Sequence, residues 1–249
     1  NFCKKIKIGL MFSVFDIESY KIISQLNHKY IKIPSGEINN YPLLKSIKKD
    51  KSQIIFSTGL SNLKEIKHCH KILKEKKNIS KLIVMHCNTE YPTPMSDVNL
   101  LGMLNIHDEL GVRVGYSDHT LGVEVPIAAV ALGASVIEKH FTLDRNQPGP
   151  DHRASLEPNE LLSMVKAIKN IEIAISGSRI KEPSKSELKN KHNIRKSIVA
   201  ISPISKGEIL SEFNLGVKRP GSGISPMEWD NVIGKTAVDD FEVDELIRL

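Results

Sequence analysis

The chain contains little cysteine and no long apolar segment. Its 249 residues include three cysteines, Cys3, Cys69 and Cys87, an odd number without a Cys-x-x-Cys pair, which argues against a disulfide framework and a zinc ribbon. No apolar run approaches the roughly 18 residues of a membrane span, and the first residues, NFCKKIKIGL, contain no apolar signal-peptide core. We therefore expect a soluble protein of the reducing cytoplasm.

Aromatic residues are also scarce, at 5% of the chain. The formal net charge is +6, but the lysines are scattered over segments such as SIKKDKSQ and KILKEKKN. A basic stripe interleaved with aromatic side chains would indicate nucleic-acid binding, and the sequence shows no such pattern. A mild positive field equally suits an anionic small substrate such as a phosphate ester.

Short β-branched apolar runs alternate with longer segments of helical periodicity, a pattern typical of βα units around a parallel sheet. Six strands are predicted, at 6–13, 30–35, 53–59, 81–87, 113–118 and 135–141. The clearest helices are predicted at 62–76, 122–133 and 158–175. Because a closed barrel needs eight strands, the fold class predicted is α/β, a partial (β/α)8 TIM barrel with about six of its eight βα units.

Polar residues at the strand ends favour a barrel over an open doubly wound sheet. An open sheet would need a Gly-rich phosphate-binding turn after its first strand, and MFSVFDIES offers none. In a barrel, the carboxyl ends of all strands meet at one rim, where loops build the site. One pocket would then collect the polar side chains that end the strands: Ser13, Lys32, Ser35, Glu37, Ser57, Thr58, His86, Asn88, Thr89, Tyr91, Ser117, Asp118, His119, Glu138 and His140.

The amino-acid composition changes after residue 175. The segment 176–193 is polar, charged and poor in apolar residues, as expected of a linker. The rest alternates short β-type runs with Pro and Gly turns. The predicted organisation is a partial-barrel catalytic domain at 1–178, a linker at 179–192 and a small β-rich domain at 193–249.

His119 and His140 end two neighbouring predicted strands, in GYSDHT and IEKHFT. A single strand histidine is more often a packed core residue than a ligand. Residues at the same level of adjacent parallel strands lie about 5 Å apart, which lets two imidazoles share one divalent ion. Two protein ligands leave open coordination positions for substrate or water, as a catalytic metal requires, and imidazole alone does not select the metal.

Anion-binding and proton-transfer groups are predicted beside the two histidines. Lys32 and Ser35 could hold a phosphate or carboxylate, with hydroxyls of Ser57 and Ser117 added from adjacent strands. The alternative is a salt-bridged barrel lysine with serines that cap the following helices. Glu37 is a candidate general acid or base, or else a solvated loop carboxylate.

Two loops could contact a sugar or an amide. In QPGPDHRAS, Asp151 could accept hydrogen bonds from sugar hydroxyls, unless the loop is only a stiff turn. In KRPGSGISP, Arg219 is a bidentate donor for an anion or an amide carbonyl, unless it is an exposed turn residue.

Seven segments carry a resemblance to a known family: KIPSGE, STGLSN, HCNTEYPTP, GYSDHTLG, IEKHFTLD, PGPDHRASLEP and VKRPGSGISP. Together, in this order and spacing, they resemble the sialic acid synthase family, which makes N-acetylneuraminate and related nine-carbon acids. The resemblance covers nearly the whole chain. It implies a (β/α) barrel followed by a small β-clip domain like type III antifreeze protein, the antifreeze-like SAF domain.

The resemblance also implies a reaction. Phosphoenolpyruvate, open-chain N-acetylmannosamine and water would give N-acetylneuraminate, or a related acid such as legionaminate, and inorganic phosphate. A divalent metal, typically Mn2+, would be bound by His119 and His140. The positions that match the family's phosphoenolpyruvate site are Lys32, Ser35, Ser57, Thr89 and Ser117, with Ser13 where a threonine is more usual. Glu37, Tyr91 and Asp151 match sugar-side or proton-transfer positions.

The resemblance further implies a dimer and a departure from the family pattern. Arg219 matches an arginine that reaches the N-acetyl group of the substrate, usually across a domain-swapped homodimer. The family barrel supplies a glutamate after its first strand and a phosphate-binding lysine on its second, and this chain aligns from just ahead of the third strand. We expect an N-terminally truncated chain that is inactive or aggregation-prone by itself, because two sheet edges stay open.

Other functions remain open at the level of sequence. One is a Schiff-base aldolase that uses Lys32 or Lys139 as its nucleophile. Another is a non-catalytic sugar- or surface-binding protein in which the β-clip domain carries the function. The acceptor sugar is also open among N-acetylmannosamine, its 6-phosphate and a diacetamido hexose, and the motifs favour a neuraminate or legionaminate product over pseudaminate.

Overall fold

The chain divides into two compact units. The computed structural model describes residues 2–26, 28–74 and 81–249. The first unit is Asn1–Gly177 and the second is Ser178–Leu249. None of the described helices combines the length and apolar character that a membrane crossing needs.

The first unit is built on one parallel sheet. Its strands, in order along the sheet, are β1 (Phe12–Ser13), β2 (Tyr30–Ile33), β3 (Gln53–Ser57), β4 (Leu82–Cys87), β5 (Arg113–Asp118) and β6 (Ile137–Lys139). Six parallel strands in sequential order confirm the predicted partial barrel. In the described sheet, β1 and β6 are each paired on one side, so both edges are open.

Helices lie between the strands and at both ends of the unit, and those between the strands pack on one face of the sheet. They are α1 (Phe2–Lys5), α2 (Ile17–Ser24), α3 (Tyr41–Ile47), α4 (Leu63–Lys74), α5 (Leu101–Leu110), α6 (Glu124–Ala131) and α7 (Pro158–Ala174). The three predicted helices are confirmed as α4, α6 and α7, except that 75 and 76 lie outside the described residues. Helix α7 begins at Pro158, and a capping box between Glu157 and Glu160 satisfies its first backbone N–H groups.

Strand alternation separates the two faces of the sheet. Ile31, Phe56 and Tyr116 point to the helix side and join its main core, whereas Ile83 and Met85 form a smaller cluster on the other side. Because side chains alternate along a strand, every second residue counted from Met85 points to the inner face of the half-barrel. The same alternation on the other strands decides which polar side chains can meet there.

The first strand is shorter than predicted. The apolar run at 6–13 predicts eight extended residues, but only Phe12 and Ser13 pair with β2. Residues Phe2–Lys5 form the short helix α1, and Lys7 has φ 59°, which breaks any extension. An extended segment needs a neighbouring strand to satisfy its backbone groups, and β2 begins only at Tyr30.

The second unit is small and centred on an antiparallel pair. Strands β7 (Ser197–Ala200) and β8 (Leu215–Lys218) pair with each other. The core of this unit includes Ile198, Leu210 and Phe241. The predicted linker 179–192 lies within the second unit, and most of it forms helix α8 (Lys185–Ile194). Ser184 and Glu187 form a capping box there, which favours a helix despite the polar composition. A last short helix, α9, spans Trp229–Val232.

Candidate active site

A lysine–carboxylate pair occupies the inner face of the half-barrel. The ammonium of Lys32 on β2 donates to both carboxylate oxygens of Glu138 on β6, at 2.6 Å each. The hydroxyl of Ser117 on β5 donates to the same carboxylate at 2.8 Å. Ser117 and Glu138 are direct neighbours in the β5–β6 register. The interior therefore presents a fixed cation, a fixed anion and a hydroxyl within hydrogen-bonding distance of one another.

The environment of Glu138 keeps its carboxyl group ionised. Burial raises the pKa of Glu138, but the ammonium of Lys32 and the hydroxyl of Ser117 outweigh this effect, so the pKa lies below its ordinary value. The Lys32 side chain is 4% exposed and that of Glu138 is 34% exposed. The carboxylate is thus the more accessible partner and can face a bound ligand without losing its lysine.

The two histidines lie next to each other at the ends of β5 and β6. The ring centroids of His119 and His140 are 5.3 Å apart, in an edge-to-face arrangement. The ring of Tyr91 packs on His119 at 4.1 Å and contacts the edge of His140 at 5.5 Å. The three rings form an aromatic cluster beside the Lys32–Glu138 pair, as expected for adjacent parallel strands.

His119 has the features of a metal-binding imidazole. Its Nδ1 lies 2.6 Å from the backbone carbonyl oxygen of Asn88, and a carbonyl only accepts, so Nδ1 carries the proton and Nε2 keeps its lone pair. Burial lowers the pKa of His119, and the neighbouring His140 lowers it further, against the opposite effect of the Asn88 hydrogen bond. A neutral ring is the form that binds metal.

The loop after β6 places a carboxylate beside the second histidine. Asp151 Oδ2 lies 3.8 Å from Nδ1 of His140. The loop is anchored where Thr142 Oγ1 and His152 Nδ1 form a 2.7 Å hydrogen bond and where Ser155 Oγ donates to the Asp151 carbonyl at 2.7 Å. Asp151 therefore belongs to the histidine cluster, and the predicted loop is a structured element of the site.

A second set of hydroxyls is packed around a glycine. Ser35 Oγ accepts from the backbone N–H of Gly59 at 3.0 Å and lies 3.2 Å from the thiol of Cys87. A Cβ on Gly59 would lie 2.5 Å from a methyl of Thr89 and 2.9 Å from the Ser35 hydroxyl. The absence of a side chain at Gly59 is what lets these groups approach. Ser57 is also buried, and its hydroxyl has no hydrogen-bond partner among the described residues, which leaves it available to a ligand.

The remaining predicted residues lie at the margin or elsewhere. Ser13 is opposite Lys32 in the β1–β2 register but is exposed at the open edge. Glu37 lies in the 3-10 turn after β2, where its carboxylate accepts from Asn40 at 2.6 Å. Arg219 is in the second unit, and its Nε donates to the Ile194 carbonyl at 3.0 Å. The roles given to these three residues stay predictions.

The candidate site includes one residue to which the sequence assigned no role. The sequence places Glu138 among the strand-end residues of the predicted pocket but gives it no role, although its phase on β6 matches that of His140 two positions later. That spacing puts both side chains on the same face of the strand, which is the signal that could have identified it. Its partner Lys32 is 106 positions away and four strands distant, which no local pattern reveals.

The side chains of His119 and His140 could bind a divalent metal ion and leave some of its coordination positions open. Among the described residues, no group of three or more His, Cys, Asp or Glu side chains is arranged to hold a metal ion. His119 and His140 offer two imidazoles with a fixed tautomer on the first, and the other coordination positions would go to water or substrate. Such a ligand set suits a catalytic ion more than a structural one.

A parallel βα half-barrel with a lysine, a carboxylate and two imidazoles at the carboxyl ends of its strands has the site position of (β/α)-barrel enzymes. The NeuB family model matches residues 1–181, and the SAF domain model matches residues 195–249. The chain belongs to the NeuB family. This confirms the resemblance inferred from the motifs.

Individual relatives agree with the family match. N,N'-diacetyllegionaminic acid synthase of Campylobacter jejuni is 50% identical over 246 residues, 98% of this chain and 73% of that protein. The synthase of the same name from Legionella pneumophila is 42% identical, over 91% of this chain and 64% of that protein. The crystal structure of N-acetylneuraminic acid synthetase from Leptospira borgpetersenii, in complex with citrate, has 33% identity and a TM-score of 0.70, over 75% of this chain and 65% of that one.

Proposed function

We propose that this chain is part of a nonulosonic acid synthase that joins phosphoenolpyruvate to an N-acetylated amino sugar, with water, and releases phosphate. One observation carries this proposal. Lys32, Ser117 and Glu138 form a charged cluster on the same inner face and at the same strand ends as the paired imidazoles of His119 and His140. An anion site next to an electrophile-activating site is what condensation of a phosphorylated enol with an aldehyde requires.

The phosphoenolpyruvate half of the site is proposed to lie around Lys32. Its ammonium is the buried cation of the cluster, and Ser117 donates to the same Glu138 carboxylate. The hydroxyls of Ser35, Ser57 and Thr89 would contribute from the ends of β2, β3 and β4. Fixed, desolvated donors stabilise an anion more than solvated ones do. Ser13 would contribute from the edge strand.

The sugar half is proposed to lie around the two histidines. His119 and His140 would hold a divalent cation, Mn2+ in the family expectation, which would polarise the aldehyde oxygen of the sugar. Tyr91 packs against both rings and would hold the sugar against them. Burial raises the pKa of the Tyr91 phenol, with further raising by Cys87 and Asp151, so it stays a neutral hydrogen-bond donor.

Carboxylates are proposed to move or hold protons on the sugar. Glu138 would accept a hydrogen bond from a sugar hydroxyl or from the attacking water, because its carboxylate is ionised and partly exposed. Asp151 would orient His140 or accept a sugar hydroxyl. Glu37 remains a further candidate acid or base from its turn, and Arg219 would reach the N-acetyl group in a homodimer.

The Schiff-base aldolase is the weaker alternative on geometric grounds. A lysine nucleophile must be neutral, and both candidate lysines are paired with a carboxylate. Lys32 lies 2.6 Å from Glu138, and Lys139 lies 2.5 Å from Asp118 with both side chains buried. Loss of the lysine proton would leave the paired carboxylate without its counter-charge.

Turnover is best measured in a completed barrel, by which we mean a chimera. In it, the corresponding segment of the Campylobacter relative supplies the two further βα units that an eight-stranded barrel needs.

In the completed barrel, a metal chelator is expected to abolish product formation, and added Mn2+ to restore it, because the proposed sugar activation depends on the cation at His119 and His140. Borohydride with pyruvate should leave the protein unmodified by mass spectrometry. Trapping of a pyruvyl adduct together with insensitivity to chelator would instead identify an aldolase.

Gly59→Ala is expected to raise the KM for phosphoenolpyruvate by about 10-fold or more, with a smaller effect on the KM for the sugar. The new Cβ would overlap Thr89 and Ser35, and a displacement of about 1 Å can cost about 100-fold in rate. Steady-state kinetics in the completed barrel measure this. Gly177→Ala, where a Cβ meets nothing within 4 Å, is the matched control. Equal kinetic constants for both variants would place the phosphoenolpyruvate site elsewhere.

The acceptor sugar is proposed to be a diacetamido hexose that gives N,N'-diacetyllegionaminate. The support is the identity with the legionaminic acid synthases, 50% and 42%. The completed barrel should convert this sugar with a higher kcat/KM than N-acetylmannosamine or its 6-phosphate. Product analysis with each of the three sugars identifies the acid that is formed. A preference for N-acetylmannosamine would assign neuraminate as the product.

A further inference from the structure

We propose that the buried ion pair between Asp118 and Lys139 is a positioning element that sets the distance between the two histidine rings. The inference rests on the proposed metal site of His119 and His140. It concerns residues that face away from that site and touch none of the reacting groups.

The pair is built on the helix-facing side of the sheet. Asp118 Oδ2 and Lys139 Nζ are 2.5 Å apart, with side chains 0% and 3% exposed. Asp118 and Lys139 are direct partners in the β5–β6 register. They are in phase with Tyr116 and Ile137, which pack in or against the helix-side core.

The pair is also tied to the backbone of the loop after β5. Lys139 Nζ donates to the carbonyl of Thr120. The Asp118 carboxylate accepts from the Thr120 backbone N–H at 3.0 Å and from its hydroxyl at 2.9 Å. Both carboxylate oxygens of Asp118 and two N–H groups of Lys139 are therefore used between the end of β6 and the first turn beyond β5.

The two histidines follow the pair directly in sequence. His119 comes after Asp118 and His140 after Lys139, and successive side chains on a strand point to opposite faces. A contact that fixes Asp118 against Lys139 on one face thus fixes the bases of the two imidazoles on the other. A buried ionic contact is well suited to this task, because it specifies one register, whereas an apolar contact tolerates sliding.

The expected consequence is a loss of metal affinity when the pair is altered. Second-layer contacts of metal ligands typically change affinity by about 10–100-fold. Lys139→Met is therefore expected to weaken binding of Co2+ by about 10-fold or more. Co2+ alone is the probe, because imidazole binds it more tightly than Mn2+.

The experiment is a calorimetric titration of the 249-residue chain with Co2+, in which His119→Gln defines the binding due to other groups. Lys67→Met is the matched control, since Lys67 forms a 2.5 Å ion pair with Glu109 on the surface, where both side chains are over 40% exposed. This control is expected to bind Co2+ as the unaltered chain does. Urea unfolding of each variant shows whether it is folded during the titration.

The outcomes separate the inference from the proposed function. A folded Lys139→Met that binds Co2+ within twofold of the unaltered chain overturns the positioning role and leaves the metal site intact. If the unaltered chain and His119→Gln bind Co2+ equally, the metal site and the positioning role both fail.

A second variant covers the case in which the single substitution prevents folding, since it leaves a buried carboxylate unpaired. Asp118→Asn combined with Lys139→Met removes both charges and keeps an acceptor oxygen toward the Thr120 N–H, while the Thr120 carbonyl loses its donor. It is expected to fold and to bind Co2+ at least about 10-fold more weakly. Unaltered binding by the double variant, or its failure to fold, would show that the pair serves the fold alone and would overturn the inference.

Discussion

The 249-residue chain by itself is expected to show turnover at least about 100-fold below that of the completed barrel and to self-associate. Catalysis of this kind depends on reactants held in place, and a half-barrel leaves its inner face open between β1 and β6. Unpaired strand edges also recruit other chains. Exposed apolar residues flank β1 in the sequence, with Phe2, Ile8 and Phe15 at 72%, 61% and 60% exposure.

Size-exclusion chromatography and product formation, measured in parallel for the chain and the completed barrel, check this expectation. The edge strands give a direct control, because Ser13→Pro should reduce self-association through the β1 edge without affecting the second unit. A monodisperse monomer with turnover equal to that of the completed barrel would contradict the expected role of the two further βα units.

Lys32→Met in the completed barrel is expected to lower kcat/KM for phosphoenolpyruvate by about 1000-fold, the upper range for removal of one fixed charge-stabilising donor. It should also lower the free energy of unfolding by about 3 kcal/mol, at the lower end of the cost of breaking a buried ion pair, because Glu138 is partly exposed. Steady-state kinetics and urea unfolding measure the two effects.

Two further variants separate charge from packing. Glu138→Gln combined with Lys32→Met removes both charges and is expected to recover most of the lost stability and none of the lost activity. Lys67→Met at the surface pair should change neither. Activity of Lys32→Met within tenfold of the unaltered enzyme would remove Lys32 from the phosphoenolpyruvate site.

Local pattern and strand alternation were enough to predict the histidine pair. His119 and His140 end consecutive strands at the same level, and parallel pairing of β5 with β6 brings their rings to 5.3 Å. The six strands, the sequential order and the second unit follow from equally local signals. These are properties of segments shorter than about 20 residues, for which sequence pattern is a sound guide.

Contacts across the interior of the half-barrel could not be predicted in the same way. Lys32 meets Glu138 because the sheet curves, and curvature does not appear in a linear pattern. The length of β1 was wrong because a strand needs a partner as well as an apolar composition. Helix α8 forms despite its polar composition because Ser184 and Glu187 make a capping box, and this Ser-x-x-Glu spacing is visible in the sequence.

The distribution of aromatic residues gives each unit its own optical signature. The single tryptophan of the chain, Trp229, packs against the core of the second unit. Its emission will therefore report melting of that unit, whereas Tyr91 and Tyr116 belong to the sheet unit. Tyrosine and tryptophan signals can thus be compared in one sample and without a label when a ligand is added.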